Sequence, residues 1–198
     1  MKKVILSLAL IIGVGATQIN AQSITGGIKA DANLSNFIVS DMPLTESEMK
    51  FGATLGGFLK FDIVKNFAIQ PELLFHFQTS TIKTVFIKQD YQYWGMEIPI
   101  YAMGQWYTRA DHRFYVGVGP YVGFGFDAKY KDPEMKLYKN DIHQPWDFGF
   151  GAQLGFEFAN GLQFNAGYKI GIIDALDIGK AHATMLPQKV SLGIGYRF

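Results

Sequence analysis

The nine residues Val190-Ser-Leu-Gly-Ile-Gly-Tyr-Arg-Phe198 put an apolar side chain on every second position. A β-strand turns successive side chains to opposite faces, so this stretch is a ribbon with one oily face and one small or polar face. The same period of two recurs in seven earlier segments: Ile24–Leu34, Phe51–Asp62, Phe67–Gln78, Tyr91–Tyr107, Phe114–Phe126, Trp146–Phe158 and Leu162–Ile172. With Gln188–Phe198 they make eight predicted strands. No helical period is sustained. A last strand must pair on both edges or leave a row of bare backbone groups. Closing against the first strand answers that need, so the pattern predicts an eight-stranded antiparallel up-and-down β-barrel.

Which face points outward decides the class. The apolar parity of all eight segments carries no charge, as in Ile24, Ile28, Ala30, Ala32 and Leu34 of the first or Phe67, Ile69, Pro71, Leu73, Phe75 and Phe77 of the third. A Lys or Arg facing lipid at the bilayer midplane costs roughly 2–4 kcal/mol, so a clean face is what lipid exposure demands. A lipocalin-like soluble barrel also alternates, with its apolar face inward around a ligand. Two features favour the lipid-facing reading. The opposite parity is a mixture of glycines and scattered charges, which suits a narrow lumen and not a water-facing sheet. The connections also alternate: 63–66, 108–113 and 159–161 are short, whereas 37–50, 79–90, 127–145 and 173–187 are long. Short turns at one rim and long loops at the other is the pattern of transmembrane barrels, with periplasmic turns and extracellular loops. An even strand count puts both ends at the short-turn rim. Tyr91, Tyr93, Trp94, Trp106, Tyr107, Trp146, Tyr168 and Tyr196 suit interfacial girdles, and Pro71 and Pro120, which cannot donate to a ladder, predict local bulges.

Residues 1–21 read as a secretory leader. Lys2 and Lys3 start it, Val4–Val14 is its apolar run, and small residues follow up to Ala21, with cleavage expected before Gln22. The apolar run is shorter than the ~20 residues of a spanning helix; a retained anchor is the other reading. Residues 22–198 then form the barrel domain. Losing Lys2 and Lys3 takes the 18 basic residues to 16 against 17 acidic, a net charge of −1. Nucleic acid, which needs a concentrated basic surface, is therefore not expected as a partner. There is no cysteine, which excludes disulfides, thiolate metal sites and a lipidated anchor.

The inward parity carries Lys29, Lys60, Lys169, Lys189 and Arg197 against Asp31, Asp62, Glu72, Glu97, Asp147 and Glu157. The interior of an eight-stranded barrel is just wide enough for side chains, and buried charges must pair. The expectation is a salt-bridged plug in which Glu72 and Glu97 share basic partners and His76 lies near Glu72. An ion or proton path along these residues is the alternative. For chemistry at the outer rim, His143 stands with Asp141 and Asp147, a set that also arises by chance in a loop. The apolar face has no Ser/His pair, and 31–41 and 127–132 lack calcium-loop spacing. No catalytic residue, metal or cofactor is expected.

Glu97-Ile-Pro-Ile-Tyr-Ala-Met103, then Phe114-Tyr-Val-Gly-Val-Gly-Pro-Tyr-Val-Gly123, with the Phe198 terminus, resemble the PorT-like outer-membrane barrels of the Bacteroidetes. The resemblance spans about residues 24–198. It implies an integral outer-membrane protein whose final strand, through Tyr196 and Phe198, serves as the signal to the barrel assembly machinery. One member of that family takes part in type IX protein secretion, but no motif here transfers that role. The expected function is non-enzymatic: surface binding, envelope stabilisation or service to a secretion machine. Expected partners are outer-membrane lipid and other envelope or secretion proteins, met through the four long loops. A narrow channel and an outer-rim hydrolase are the alternatives.

Overall fold

A computed structural model describes residues 23–40, 46–83, 88–130, 135–136, 146–172 and 184–198. The predicted leader, Asp141 and His143 lie outside the described residues. The strands are β1 (Ser23–Ser40), β2 (Glu46–Val64), β3 (Phe67–Lys83), β4 (Lys88–Tyr107), β5 (Arg113–Tyr130), the two-residue β6 (Met135–Lys136), β7 (Trp146–Glu157), β8 (Leu162–Gly171) and β9 (Thr184–Arg197). Every pairing is antiparallel. The order β4-β3-β2-β1-β9-β8-β7-β5 is joined end to end by β4–β5, so the eight long strands form a closed barrel, with β6 a short ribbon on β5. β9 pairs with β8 on one edge and β1 on the other, from Gly27↔Arg197 to Ser40↔Thr184.

The oily faces point out. Leu192 is 66% exposed and Leu55 65%, while Lys29, Glu72 and Glu157 on the opposite parity are buried. From Ile24 to Leu34 the outward residues of β1 run about 34 Å along the strand. At a tilt of about 40° that is a band ~26 Å tall, the height of an outer-membrane apolar belt. Aromatic groups mark both ends of it. Phe77–Trp94 and Phe124–Trp146 lie toward the long-loop rim, at centroid distances of 4.6 and 4.9 Å. Phe114–Phe156 and Phe156–Phe158 lie toward the short-turn rim, at 4.6 and 4.9 Å.

The short turns are where the sequence puts them. In the β4–β5 turn, Thr108 N donates to His112 O at 2.8 Å, and Asp111 takes a φ of 57°. In the β7–β8 turn Gly161 has φ 90°, and a Cβ there would meet Arg197 O at 2.4 Å. Glycine is the residue that takes this backbone without strain. Arg197 N donates to Gly161 O and Phe198 N to Gly26 O, both at 2.9 Å, which ties the chain end to this rim.

Two expectations need correction. The ladder keeps register through Pro71 (opposite Ile100) and Pro120 (opposite Phe150), with no bulge at either. A proline removes one donor, and a ladder can lose one bond without gaining a residue. The register shifts fall instead at Met49/Ala53, Asp62/Val64 and Trp94/Gly95. The long connections also begin later than their polar residues suggest. β1 runs to Ser40 and β2 starts at Glu46, β3 runs to Lys83 and β4 starts at Lys88, and β5 runs to Tyr130. Thr, Gln and Tyr pair well in these ribbons, so 37–40, 46–50, 79–83 and 88–90 are strand, not loop.

Candidate functional site: the barrel lumen

The inward residues stack in three tiers. At the short-turn rim, Glu157 Oε2 accepts from Arg113 Nη2 at 2.5 Å and from Gln163 Nε2 at 2.6 Å, and its Oε1 accepts from Arg197 Nε at 2.6 Å. Arg113 Nη1 also donates to Gln105 Oε1 at 2.9 Å, and Gln105 Nε2 donates to Asp62 Oδ1 at 2.7 Å. Asp62 Oδ2 completes its set with Lys60 Nζ at 2.9 Å and the Ser23 hydroxyl at 2.7 Å. Charge-assisted bonds of this kind are the strong ones, and here each carboxylate has several.

The middle tier combines one ion pair with aromatic bulk. Lys29 Nζ lies 3.3 Å from Glu72 Oε2, 3.3 Å from Gln153 Oε1 and 3.8 Å from Asp31 Oδ2. Glu72 Oε1 accepts from Gln70 Nε2 at 2.8 Å and Gln153 Nε2 at 3.1 Å. Around them Tyr101, Met103, Tyr115 and Ala68 form a buried apolar cluster, and the Arg113 guanidinium lies 4.7 Å from the Tyr115 ring centre.

The third tier, toward the long-loop rim, centres on Glu97. Its Oε1 takes Lys169 and its Oε2 takes Lys189 at 2.9 Å, with His76 Nδ1 at 3.8 Å. Asp147 Oδ2 accepts from the Tyr121 hydroxyl at 3.0 Å. Glu72 and Glu97 therefore do not share bases. Each has its own, because Glu97 stands opposite Leu74 on the β3–β4 ladder, one tier above Glu72. For the same reason His76 meets Glu97 and not Glu72.

All twelve residues expected in the lumen network lie on the inward parity. Of the pair expected to signal assembly, Tyr196 and Phe198 face outward with ring centres 5.9 Å apart. Asp147, read also as a rim candidate, points into the lumen to Tyr121.

Sequence reasoning missed Arg113, which is only 1% exposed. It closes the predicted 108–113 turn, although the odd-numbered parity of β5 (Tyr115, Gly117, Gly119, Tyr121) reaches it in one step. With Arg113 the described lumen holds six basic residues (Lys29, Lys60, Arg113, Lys169, Lys189, Arg197) against six acidic ones (Asp31, Asp62, Glu72, Glu97, Asp147, Glu157).

It also missed what the inward glycines are for. A Cβ on Gly155 would sit 2.3 Å from Tyr115 Cζ, on Gly149 2.6 Å from Tyr121 Cε1, on Gly117 2.3 Å from Met103 Sδ, and on Gly27 2.3 Å from Phe58 Cζ. Each of these glycines is the direct cross-strand partner of the large residue it faces. The lumen is not small-lined. Its glycines make room for large neighbours that fill the axis. Among the described residues no group of three or more His, Cys, Asp or Glu is arranged to hold a metal.

Solved structures share this architecture. Over 90% of this chain and 97% of the other, the fold is similar to the outer membrane protein OprG from Pseudomonas aeruginosa, with a TM-score of 0.57 and 13% identity. Neisserial surface protein A matches over 89% of this chain and all of its own, with a TM-score of 0.50 and 13% identity. No curated protein matches in sequence. The model of the outer membrane protein β-barrel domain matches residues 6–198, and the chain belongs to that family, as an integral protein of the outer membrane.

Proposed function

We propose that this chain is a small outer-membrane barrel with a closed, salt-bridged lumen, acting as a non-enzymatic surface-binding or envelope-stabilising protein, or as an accessory to a secretion machine. One observation carries the closed lumen. In the middle tier Tyr101, Tyr115 and Met103 crowd the axis beside a Lys29–Glu72–Gln153 knot whose bonds are made within the wall. An ion entering there would have to displace both rings and the paired charges. Planar-bilayer recording of the purified barrel tests this: no stable conductance is expected, and a sizeable steady one would replace this reading with a channel.

With the axis shut, function falls to the surface at the long-loop rim. Within its family we place the chain with the PorT-like barrels, on the Glu97–Met103 and Phe114–Gly123 segments. Its partners are outer-membrane lipid, the barrel assembly machinery, and envelope or secretion proteins met at that rim. Crosslinking in native membranes followed by partner identification tests the accessory role, which falls if only bulk lipid and assembly factors are captured. An outer-rim hydrolase would require envelope turnover that is lost on His143→Ala or Asp147→Ala.

A further inference from the structure

The short-turn mouth of the lumen, the periplasmic one in barrels of this kind, holds more donors than its carboxylates take up. Glu157 is engaged through both oxygens, by Arg113, Gln163 and Arg197. Asp62 is likewise engaged through both, by Gln105, Lys60 and Ser23. Three bases, Lys60, Arg113 and Arg197, thus stand against two acids. The tiers above carry no such excess: Lys29 faces Glu72 and Asp31, while Lys169 and Lys189 face Glu97, with Asp147 also in reach of Lys189. Among the described residues the Arg197 side chain bonds only through Nε, so its two terminal nitrogens are unspent. That side chain is 27% exposed, which opens the unspent edge to the periplasm. Arg113 Nε and Thr25 Oγ1 are buried without a partner. The chain's own Phe198 carboxylate, on the same rim, makes no ion pair among the described residues.

These groups ring one opening. Lys60 on β2 stands opposite Thr25 on β1, and Arg197 on β9 stands opposite Gly27, the next inward position of β1. Because β9 stops at Arg197, Thr25 has no β9 residue beside it. Tyr107, the last inward residue of β4, faces Arg113 across the β4–β5 ladder. Its ring is 41% exposed, and its hydroxyl bonds to nothing among the described residues. It lies within electrostatic reach of both Arg113 and Arg197. Buried Lys60 lies within the same reach of Arg113 and Glu157.

We propose that this mouth binds a terminal phosphate, free or as a monoester, presented from the periplasm, with Arg197 and Tyr107 touching it and Lys60 and Arg113 supplying positive charge behind them. A guanidinium edge offers two parallel donors that match two oxygens of one anion. A carboxylate spends both its oxygens on that fork. A terminal phosphate keeps a third for the Tyr107 hydroxyl, and its second negative charge answers the unbalanced base. The site lies at the opposite end of the barrel from the long-loop rim and does not depend on what binds there.

The arginines of the chain are Arg109, Arg113 and Arg197. Arg113 is buried and Arg109 lies exposed in the β4–β5 turn, so Arg109 is an internal control. Phenylglyoxal condenses with the two terminal nitrogens of an accessible arginine, the same pair that the phosphate takes. The test treats the full mature barrel in dodecyl maltoside with this reagent and maps the adducts by mass spectrometry. Inorganic phosphate at about ten times its dissociation constant should slow modification of Arg197 about tenfold and leave Arg109 unchanged. Dihexanoylphosphatidic acid carries the same group on a lipid. Protection by inorganic phosphate assigns the ligand to the periplasmic solution, and protection by the lipid alone assigns it to the membrane. Acetate at equal concentration should not protect. Tyr107→Phe should weaken protection several-fold, whereas Lys65→Gln, on the neighbouring turn outside the mouth, should not. The site is overturned by protection from neither phosphate, by equal protection from acetate, by equal protection of Arg109, or by equal loss in the two variants. An Arg197 that the reagent fails to reach overturns it as well, because the mouth is then shut.

Discussion

Arg113 and Glu157 face each other directly across the β5–β7 ladder and are joined by a 2.5 Å bond from Nη2 to Oε2. Both side chains are almost fully buried. Because this pair also anchors Gln105, Gln163 and Arg197, the whole short-turn tier depends on it. Arg113→Met leaves the Glu157 carboxylate with Arg197 and Gln163 alone and strips Gln105 Oε1 of its donor. Breaking a buried pair from one side costs about 3–5 kcal/mol. That loss is expected in urea-dependent unfolding from lipid vesicles, and Arg113→Met combined with Glu157→Met should recover most of it.

Glu97→Gln should destabilise the barrel by a similar ~3–5 kcal/mol, since Lys169 and Lys189 then lose their shared carboxylate in a buried site. Conductance should nonetheless stay silent, because the Tyr101–Tyr115–Met103 layer lies below that tier. A Glu97→Gln barrel that folds and conducts would show that the ion pairs, not the rings, close the axis.

The glycines opposite large inward residues should resist substitution, and others should not. Gly155→Ala drives a methyl group into the Tyr115 ring and toward Phe164 O, which lies 2.7 Å from the new atom. Overpacking of this kind costs about 1–3 kcal/mol. Gly26→Ala is the control: its Cβ meets nothing closer than 3.6 Å, so it should be neutral, or stabilising by up to about 1 kcal/mol through the loss of glycine's freedom in the unfolded chain. Equal effects from the two would mean that the ring contacts do not matter.

On the outer face, Ile194 lies near mid-belt and is 53% exposed. Ile194→Arg should cost roughly 2–4 kcal/mol of folding free energy in vesicles. The neighbouring inward Gly193 should be intolerant for a different reason, since a Cβ there would lie within 3 Å of Asp31 Oδ1 and Ala30 O.

Much of the fold was legible because its rule is local. Period two read from Val190 to Phe198 says which side chains share a face, and a chargeless face says which side meets lipid. The lumen was legible only as a set of residues. That Lys169 and Lys189 converge on Glu97 while Lys29 goes to Glu72 depends on the stagger between distant strands, which no spacing along the chain encodes. Arg113 was hidden by position, at the edge of a turn. The role of Gly155 was hidden because its partner Tyr115 is 40 residues away (155 − 115). The ends of β1 to β5 were misplaced because Thr79, Gln89 and Lys129 look like loop residues, whereas a strand outside the membrane is entitled to them.

The seam between β1 and β9 fixes when this protein can become itself. Gly27 and Arg197, register partners there, are 170 residues apart (197 − 27). Loops of such length close slowly. Until β9 is in place, both β1 and β8 present a bare edge able to pair with any other chain. The barrel is therefore completed in one event, when β9 fills the gap between them and covers both edges at once.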